Sequence, residues 1–161
     1  MRKTIRAVAI CGAVSLVCAA SDRMRPLNVK AGLWQMTETV TWTGLPPQYA
    51  AMMKNAKPIN YKSCVKEKDL STNPFASGSK EGCSWTALKS TGTDMEVEGK
   101  SCDMGKEWGM TADVHGTIHA EDSENGTGTF DIVLTGNGQT MKGHATCTGK
   151  WAAGSCPADM N

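Results

Sequence analysis

Three histidines, ten methionines and seven cysteines are the side chains of this sequence best suited to metal or redox chemistry. His115 and His119 fall four residues apart in a predicted strand, about 13 Å along it, which is too far to share one ion. His144 falls in another strand, roughly 10 Å to the side. We therefore expect solvated surface histidines and no metal site.

The methionines offer a second route to metal chemistry, because thioethers bind Cu(I). Four of them fit inward strand positions, where methionine is an adaptable core residue: Met36, Met95, Met110 and Met141. Met52, Met53 and Met104 fall in connecting segments, where they could approach Met110 at one end of the domain. A Met-rich copper-binding protein is therefore an alternative function.

Catalysis needs a nucleophile beside a base, or paired carboxylates, in a recognisable context. The nearest candidates are Asp113 with His115 on one strand face and Asp122 with Glu124 in a turn. A polar strand face and a solvated loop explain both pairs more simply. We expect no catalytic residue, no cofactor and no enzyme activity.

The first 20 residues have the layout of a secretory signal peptide. A cationic start at residues 1–6 is followed by an apolar run at residues 7–20 that ends in small residues. This run is shorter than the roughly 20 residues of a membrane helix. Lipidation at Cys18 is disfavoured, because Val17 stands where a small residue is needed. We predict cleavage near Ala20 and export to the periplasm.

The remaining chain has the length of one ordinary domain. Removing Arg2, Lys3 and Arg6 from 17 basic residues leaves 14 against 16 acidic ones, a net charge of −2. Without a basic cluster the chain is not expected to bind nucleic acid, and it has no second long apolar segment. We expect a monomer. The predicted organisation is a linker at residues 21–30, a single β domain at 31–157 and a tail at 158–161.

Short β-type segments separated by turn residues follow one another along the chain. The predicted strands are Leu33–Thr43, Ile59–Val65, Cys83–Ser90, Met95–Cys102, Met110–Ala120, Thr127–Thr135 and Gln139–Trp151. Short helices are predicted at Pro47–Asn55 and Lys66–Leu70, and a surface loop at Ser71–Gly82. The predicted fold class is all-β: an antiparallel up-and-down meander that forms a small barrel or half-open barrel, with one or two short helices.

Alternation of apolar and polar residues indicates which side of each strand is buried. The residues predicted to face inward are Trp34, Met36, Val40 and Trp42; Met110, Ala112, Val114, Gly116 and Ile118; Phe130, Ile132 and Leu134; and Met141, Ala145 and Cys147. The dipeptide Asn137-Gly138 predicts a tight hairpin. In that hairpin, Leu134 would lie opposite Met141 and Phe130 opposite Ala145, which keeps all four on one face.

A second hairpin, turning at Gly92-Thr93, would set Leu88 opposite Val97 and Cys83 opposite Cys102. Directly opposed residues bring Cβ atoms to about 4.5–5.5 Å, close to the roughly 3.5–4.5 Å of a disulfide. We predict a Cys83–Cys102 bridge. It would lie on the face away from Val97 unless a bulge intervenes.

Three further cysteines follow the predicted cleavage site, and none of the five forms a C-x-x-C pair, which disfavours zinc and thioredoxin-like sites. Separated cysteines in an oxidising compartment usually form structural disulfides. A Cys64–Cys156 bridge would tie the C-terminal tail to the body and leave Cys147 as a buried free thiol opposite Gly128. A Cys64–Cys147 bridge with Cys156 free stays open.

Several short motifs occur in an order that is similar to a known family. They are Ala31-Gly32-Leu33-Trp34-Gln35, Cys64-Val65 followed by Asp69-Leu70, Cys83, Cys102, and Gly149-Lys150 with Gly154-Ser155-Cys156. The order resembles the exported Proteobacterial family catalogued as domain of unknown function 3617, from about Asn28 to Cys156. The resemblance implies a periplasmic β-rich domain and supplies no activity.

The sequence departs from the family pattern at four points. Ala31 stands where the family favours proline and Gln35 where it favours glutamate. One extra residue separates Lys150 from Gly154, and the usual pattern lacks Cys147. These departures put the last turn and the pairing of the fourth cysteine in doubt.

A curled antiparallel sheet offers an apolar concavity in which a small ligand can bind. The candidate ligand-binding residues are Trp42, Tyr49, Met52, Met53 and Trp108, at a mouth of the barrel and in a lid over residues 47–55. We expect a non-catalytic periplasmic protein that binds a small apolar ligand. The alternative is an envelope structural or protein-interaction module, in which the same segment docks a partner protein.

Overall fold

Seven strands dominate the computed structural model, which describes residues 24–54, 56–72, 83–104 and 109–160, apart from the side chains of residues 48, 49 and 52. The strands are β1 (Gly32–Thr43), β2 (Ile59–Val65), β3 (Ser84–Ser90), β4 (Asp94–Asp103), β5 (Met110–Ala120), β6 (Asn125–Gly136) and β7 (Gln139–Ala153). A short helix, α1 (Pro47–Met53), follows β1, and single 3-10 turns occupy Glu67–Ser71 and Ala158–Met160. The predicted signal peptide lies outside the described residues.

All seven strands form one antiparallel sheet in the order β2-β1-β7-β6-β5-β4-β3. The strands follow one another as a meander, except that β1 also pairs with the last strand, β7. The two ends of the order, β2 and β3, are consecutive in the chain and would have to pair to close a barrel. The sheet is not closed, so the predicted half-open meander is confirmed.

The β6–β7 hairpin has the predicted register. Leu134 lies opposite Met141 and Phe130 opposite Ala145. Asn137 and Gly138 at the turn have φ angles of 51° and 72°. Positive φ at both central residues is the requirement of a type I′ turn, which asparagine and glycine meet with little strain.

The β3–β4 hairpin differs from its predicted register. Lys89 lies opposite Glu96 as expected, but a register shift follows, and Val97 faces Ala87 instead of Leu88. The predicted Leu88–Val97 pair is therefore wrong. The extra residue of the bulge reverses the facing of the rest of β3, so that Trp85 and Ala87 pack against the core while Leu88 is 47% exposed.

Two disulfides staple the sheet, Cys83–Cys102 and Cys64–Cys156, and Cys147 is a buried free cysteine. The bulge in β3 and a register shift in β4 between Gly99 and Cys102 accompany the first bridge. The second bridge joins β2 to the segment after β7. The pairing agrees with the first of the two arrangements that the sequence left open.

The core lies on one side of the sheet, here called the inner face, and has two parts. The first core cluster comprises Leu27, Val29, Trp34, Met36, Val65, Leu70, Met95, Val97, Ile118, Ala120 and Cys147. The second comprises Cys102, Met110, Ala112, Leu134 and Met141. Both clusters follow the predicted inward positions of β5, β6 and β7.

Part of the predicted N-terminal linker belongs to the fold. Leu27 and Val29 are buried in the first core cluster. The backbone N–H of Leu27 donates to the carbonyl of Leu70, and that of Asn28 donates to the carbonyl of Gly92. Residues 24–30 therefore cover one end of the inner face.

Candidate functional site

The open part of the inner face carries large apolar side chains that are only partly buried. This set, here called the apolar patch, comprises Val40, Trp42, Val114, Phe130 and Ile132. Trp42, Ile132 and Val114 fall in one row across β1, β7, β6 and β5, and Val40 and Phe130 fall in the next row. The patch is thus continuous across four strands.

Small residues of β7 lie between the patch residues of β1 and those of β6. Gly143 lies between Trp42 and Ile132, and Ala145 lies between Val40 and Phe130. A Cβ atom added at Gly143 would lie 2.8 Å from Cζ3 of Trp42, so the indole ring covers this glycine. The Trp42 ring therefore occupies the space that a side chain at position 143 would fill.

One carboxylate interrupts the apolar character of the inner face. Glu38 lies between Met36 and Val40 on the inward side of β1, and it is partly exposed. Among the inward strand positions that the structure describes, it is the one charged residue. None of the ion pairs formed by the described residues involves Glu38.

Tyr61 is a polar neighbour of this carboxylate and shares a side-chain hydrogen bond with it. Tyr61 pairs with Met36 across β1 and β2, while Glu38 pairs with Ile59, so Tyr61 and Glu38 are diagonal neighbours. Burial is the largest cause that raises the pKa of the Tyr61 hydroxyl. The charges of Glu38 and Cys147, and a hydrogen bond with Glu38, raise this pKa further. Tyr61 is therefore a neutral hydrogen-bond donor beside the carboxylate.

Cys147 lies on the other side of Glu38, directly opposite it across β1 and β7. Burial, and then the charge of Glu38, raise the pKa of this thiol to about 11. On its other flank Cys147 faces Gly128, where an added Cβ would lie 2.9 Å from Sγ. A thiolate is the reactive form of cysteine, and burial beside Glu38 disfavours that form here.

The structure describes the side chains of two of the five ligand-binding residues that the sequence suggested. Trp42 lies in the apolar patch and packs against the second core cluster. Met53 ends α1 and is 38% exposed. Trp108 and the side chains of Tyr49 and Met52 lie outside the described part of the structure, so the proposed lid stays a prediction.

The methionines suggested for copper differ in exposure. Met104 is 46% exposed, whereas Met110 is buried in the second core cluster. The two residues are joined by a backbone hydrogen bond from Met104 N–H to the Met110 carbonyl, so they are close in space. The side chain of Met52 lies outside the described part of the structure, and copper binding stays a prediction.

The three histidines lie on the outer face, each beside one carboxylate. His115 Nε2 is 2.8 Å from Glu96 Oε1, His119 Nδ1 is 2.7 Å from Asp94 Oδ1, and His144 Nδ1 is 2.8 Å from Asp131 Oδ1. These rings are 50–54% exposed. Within the described ranges no three His, Cys, Asp or Glu side chains converge as a metal site would require.

The outer face also carries a shallow pocket of about 440 Å³ over β3 to β6. Its lining includes the polar side chains of Lys89, Asp94, Glu96, Thr117 and His119. A hydrogen bond with His119, the largest cause, and others with Thr93 and Thr91 lower the pKa of Asp94.

Sequence reasoning did not single out Glu38 and Tyr61. The available signal was the position of this glutamate in the alternation of β1. It falls on the same side of the strand as Trp34, Met36, Val40 and Trp42. A charged residue among inward apolar positions is unusual, because burying a charge without a partner is costly. The role of Tyr61 depended on the β1–β2 register, which no turn signal specified.

Comparison with known proteins places this fold in a family. The profile described as "Protein of unknown function (DUF3617)" matches residues 29–156. The chain belongs to this family. Comparisons of this DUF3617 member with curated proteins and with solved structures found no match. No helix of the described residues is long and apolar enough to cross a membrane.

Proposed function

We propose that this DUF3617 protein is an exported, non-catalytic binding protein that holds a small apolar ligand on the inner face of its half-open sheet. The observation that carries the proposal is the apolar patch, whose large side chains stay partly exposed on a sheet that is not closed. Ligand sites are concave, mostly apolar surfaces with a few polar groups. Glu38 and Tyr61 supply such groups beside Val40.

Export is the second part of the proposal. Residues 1–20 have the composition of a signal peptide. The structure contains two disulfides, which join cysteines 92 and 19 positions apart. Structural disulfides persist in oxidising compartments such as the periplasm. The intact mass of the protein from a periplasmic fraction tests this part. We expect a chain that begins near Ser21 and lies four hydrogens below its reduced mass.

Two adjacent residues of β6 provide a matched test of ligand binding. Ile132 faces the apolar patch, whereas Val133 lies on the outer face and is 36% exposed. Tryptophan fluorescence is followed while a hydrophobic probe is titrated into the monomeric protein. Ile132→Gln should weaken probe binding about tenfold, since it removes apolar contact area at the site, and Val133→Gln should leave it unchanged.

Native and denaturing mass spectra of the periplasmic protein complete this test. A ligand-sized adduct that appears only in the native spectrum would identify the natural ligand. Equal loss of probe binding in both variants, with both still folded, would contradict a site on the inner face.

An interaction module in the cell envelope is the second function that a specific observation favours. The two free edges of the sheet each expose an apolar side chain, Ile59 of β2 at 58% and Leu88 of β3 at 47%. Unpaired edge strands can accept a strand from a partner protein. Cross-linking in the periplasm would capture a defined partner, and Leu88→Lys would abolish the cross-link while probe binding stays intact.

A further inference from the structure

The charge of the inner face narrows the chemistry of the ligand. A wholly apolar ligand would leave the Glu38 carboxylate facing it without a counter-charge, which is unfavourable because a carboxylate that loses water needs a partner. The ion pairs of the described residues do not supply one to Glu38. A cation carried by the ligand would.

The surroundings of Glu38 divide into a polar and an apolar side. Tyr61 is a diagonal neighbour across β2, and its hydroxyl donates toward the carboxylate. Val40 lies two residues along β1 and opens the apolar patch, which continues to Phe130 and Ile132. A molecule lying on this face would therefore meet one negative charge at one end and apolar side chains along the rest of its length.

Resting on the function proposed above, we infer that the ligand is a cationic amphiphile, with an amine or quaternary ammonium head at Glu38 and an apolar chain on the apolar patch. Trp42 lies about 13 Å from Glu38 along β1, so the patch has room for a medium-length alkyl chain. The cationic head of the ligand pairs with the Glu38 carboxylate. The Tyr61 hydroxyl donates a hydrogen bond to the same carboxylate and orients it.

Three single-chain probes of equal chain length test this inference on the mature protein: decyltrimethylammonium, decanoate and decyl maltoside, each below its critical micelle concentration. Tryptophan fluorescence or calorimetry measures their affinities at neutral pH. We expect decyltrimethylammonium to bind about two- to fivefold more tightly than decanoate, as for one partly exposed charge pair. The difference should shrink in 1 M salt, where the screening length is about 3 Å.

Glu38→Gln should abolish the preference for the cationic head and leave the affinity for decyl maltoside unchanged. Glu96→Gln, which changes a carboxylate on the outer face, is the matched control and should keep the preference. Tyr61→Phe, which keeps the carboxylate, should also keep it. The head-group comparison on the unmodified protein stands even if Glu38→Gln does not fold.

The outcomes separate this inference from the function on which it rests. If the three probes bind equally, or if Glu38→Gln retains the cationic preference, the charge inference is wrong while binding to the inner face stands. If no probe binds, both the inference and the ligand-binding function are wrong.

Discussion

The Cys147 thiol lies directly across the β1–β7 pair from the Glu38 carboxyl group. The two side chains share the inward side of the sheet, where Cys147 is 6% exposed and Glu38 is partly exposed. An acid thus sets part of the electrostatic environment of a free thiol, although burial has the larger effect on the thiol.

Removing the charge at position 38 should make Cys147 easier to ionise. The pKa of Cys147 is about 11, and Glu38 is the second cause of its elevation, so Glu38→Gln should lower this pKa without bringing it to that of an exposed cysteine. The pH profile of alkylation by iodoacetamide measures the shift. Glu96→Gln should leave the profile unchanged, and an unchanged profile in Glu38→Gln would show that the two groups do not interact.

The two disulfides should contribute unequally to stability. Cys64–Cys156 spans 92 positions and Cys83–Cys102 spans 19. Loop-closure entropy predicts that removing the longer bridge costs about 1 kcal/mol more than removing the shorter one, from totals of roughly 4 to 5 and 3 kcal/mol. Urea denaturation of the two double-alanine variants tests the order. A larger loss of unfolding free energy in the variant that lacks Cys83–Cys102 would contradict the order expected from loop-closure entropy.

An added methyl group at Gly143 should destabilise the inner face. The new Cβ would lie 2.8 Å from the Trp42 ring, so Gly143→Ala should displace the indole and cost about 1–3 kcal/mol, as overpacking generally does. Gly154→Ala is the matched control, because its Cβ would meet Trp151 at an ordinary 3.8 Å. Thermal unfolding compares the two, and equal stability of both variants would mean that Trp42 moves aside freely.

Acid should weaken the fold partly through Asp94. Its pKa lies below the ordinary 3.8, chiefly because of the hydrogen bond with His119. A carboxyl group with a lowered folded-state pKa adds stability above its unfolded pKa, and this stability is lost as pH falls through the folded value. Asp94→Asn should therefore reduce the loss of melting temperature between pH 4 and pH 2, within roughly that window.

The size of this effect should be small, since Asp94 is exposed and solvent screens the pair. His119→Gln removes the largest cause of the lowered pKa and should act in the same direction. A pH profile identical to wild type in both variants would mean that the contact does not persist in solution.

Local signals predicted the parts of this fold that depend on local structure. The turn preference of Asn137-Gly138 and the alternation of β5, β6 and β7 specified a register that the structure confirms. The bulge at Leu88 left no such signal, because one extra residue changes every facing beyond it without changing composition.

The candidate site was harder to predict because it depends on pairings between distant segments. Trp42 was expected at the mouth of the barrel, and it lies in the apolar patch. Glu38 and Tyr61 come together only through the β1–β2 register, and β7 reaches Glu38 only because it pairs with β1. Alternation within one strand carries no information about either partner.

The pairing of β1 with β7 also fixes when folding can finish. During synthesis from the N-terminus, β1 emerges long before the strand that pairs along most of its length, from Leu33 with Ala153 to Thr43 with Lys142. Contacts of such long sequence separation form slowly, because a large loop must close first. The backbone hydrogen-bonding groups on one edge of β1 therefore stay unpaired until β7 has been synthesised. A chain that lacks β7 cannot complete the inner face.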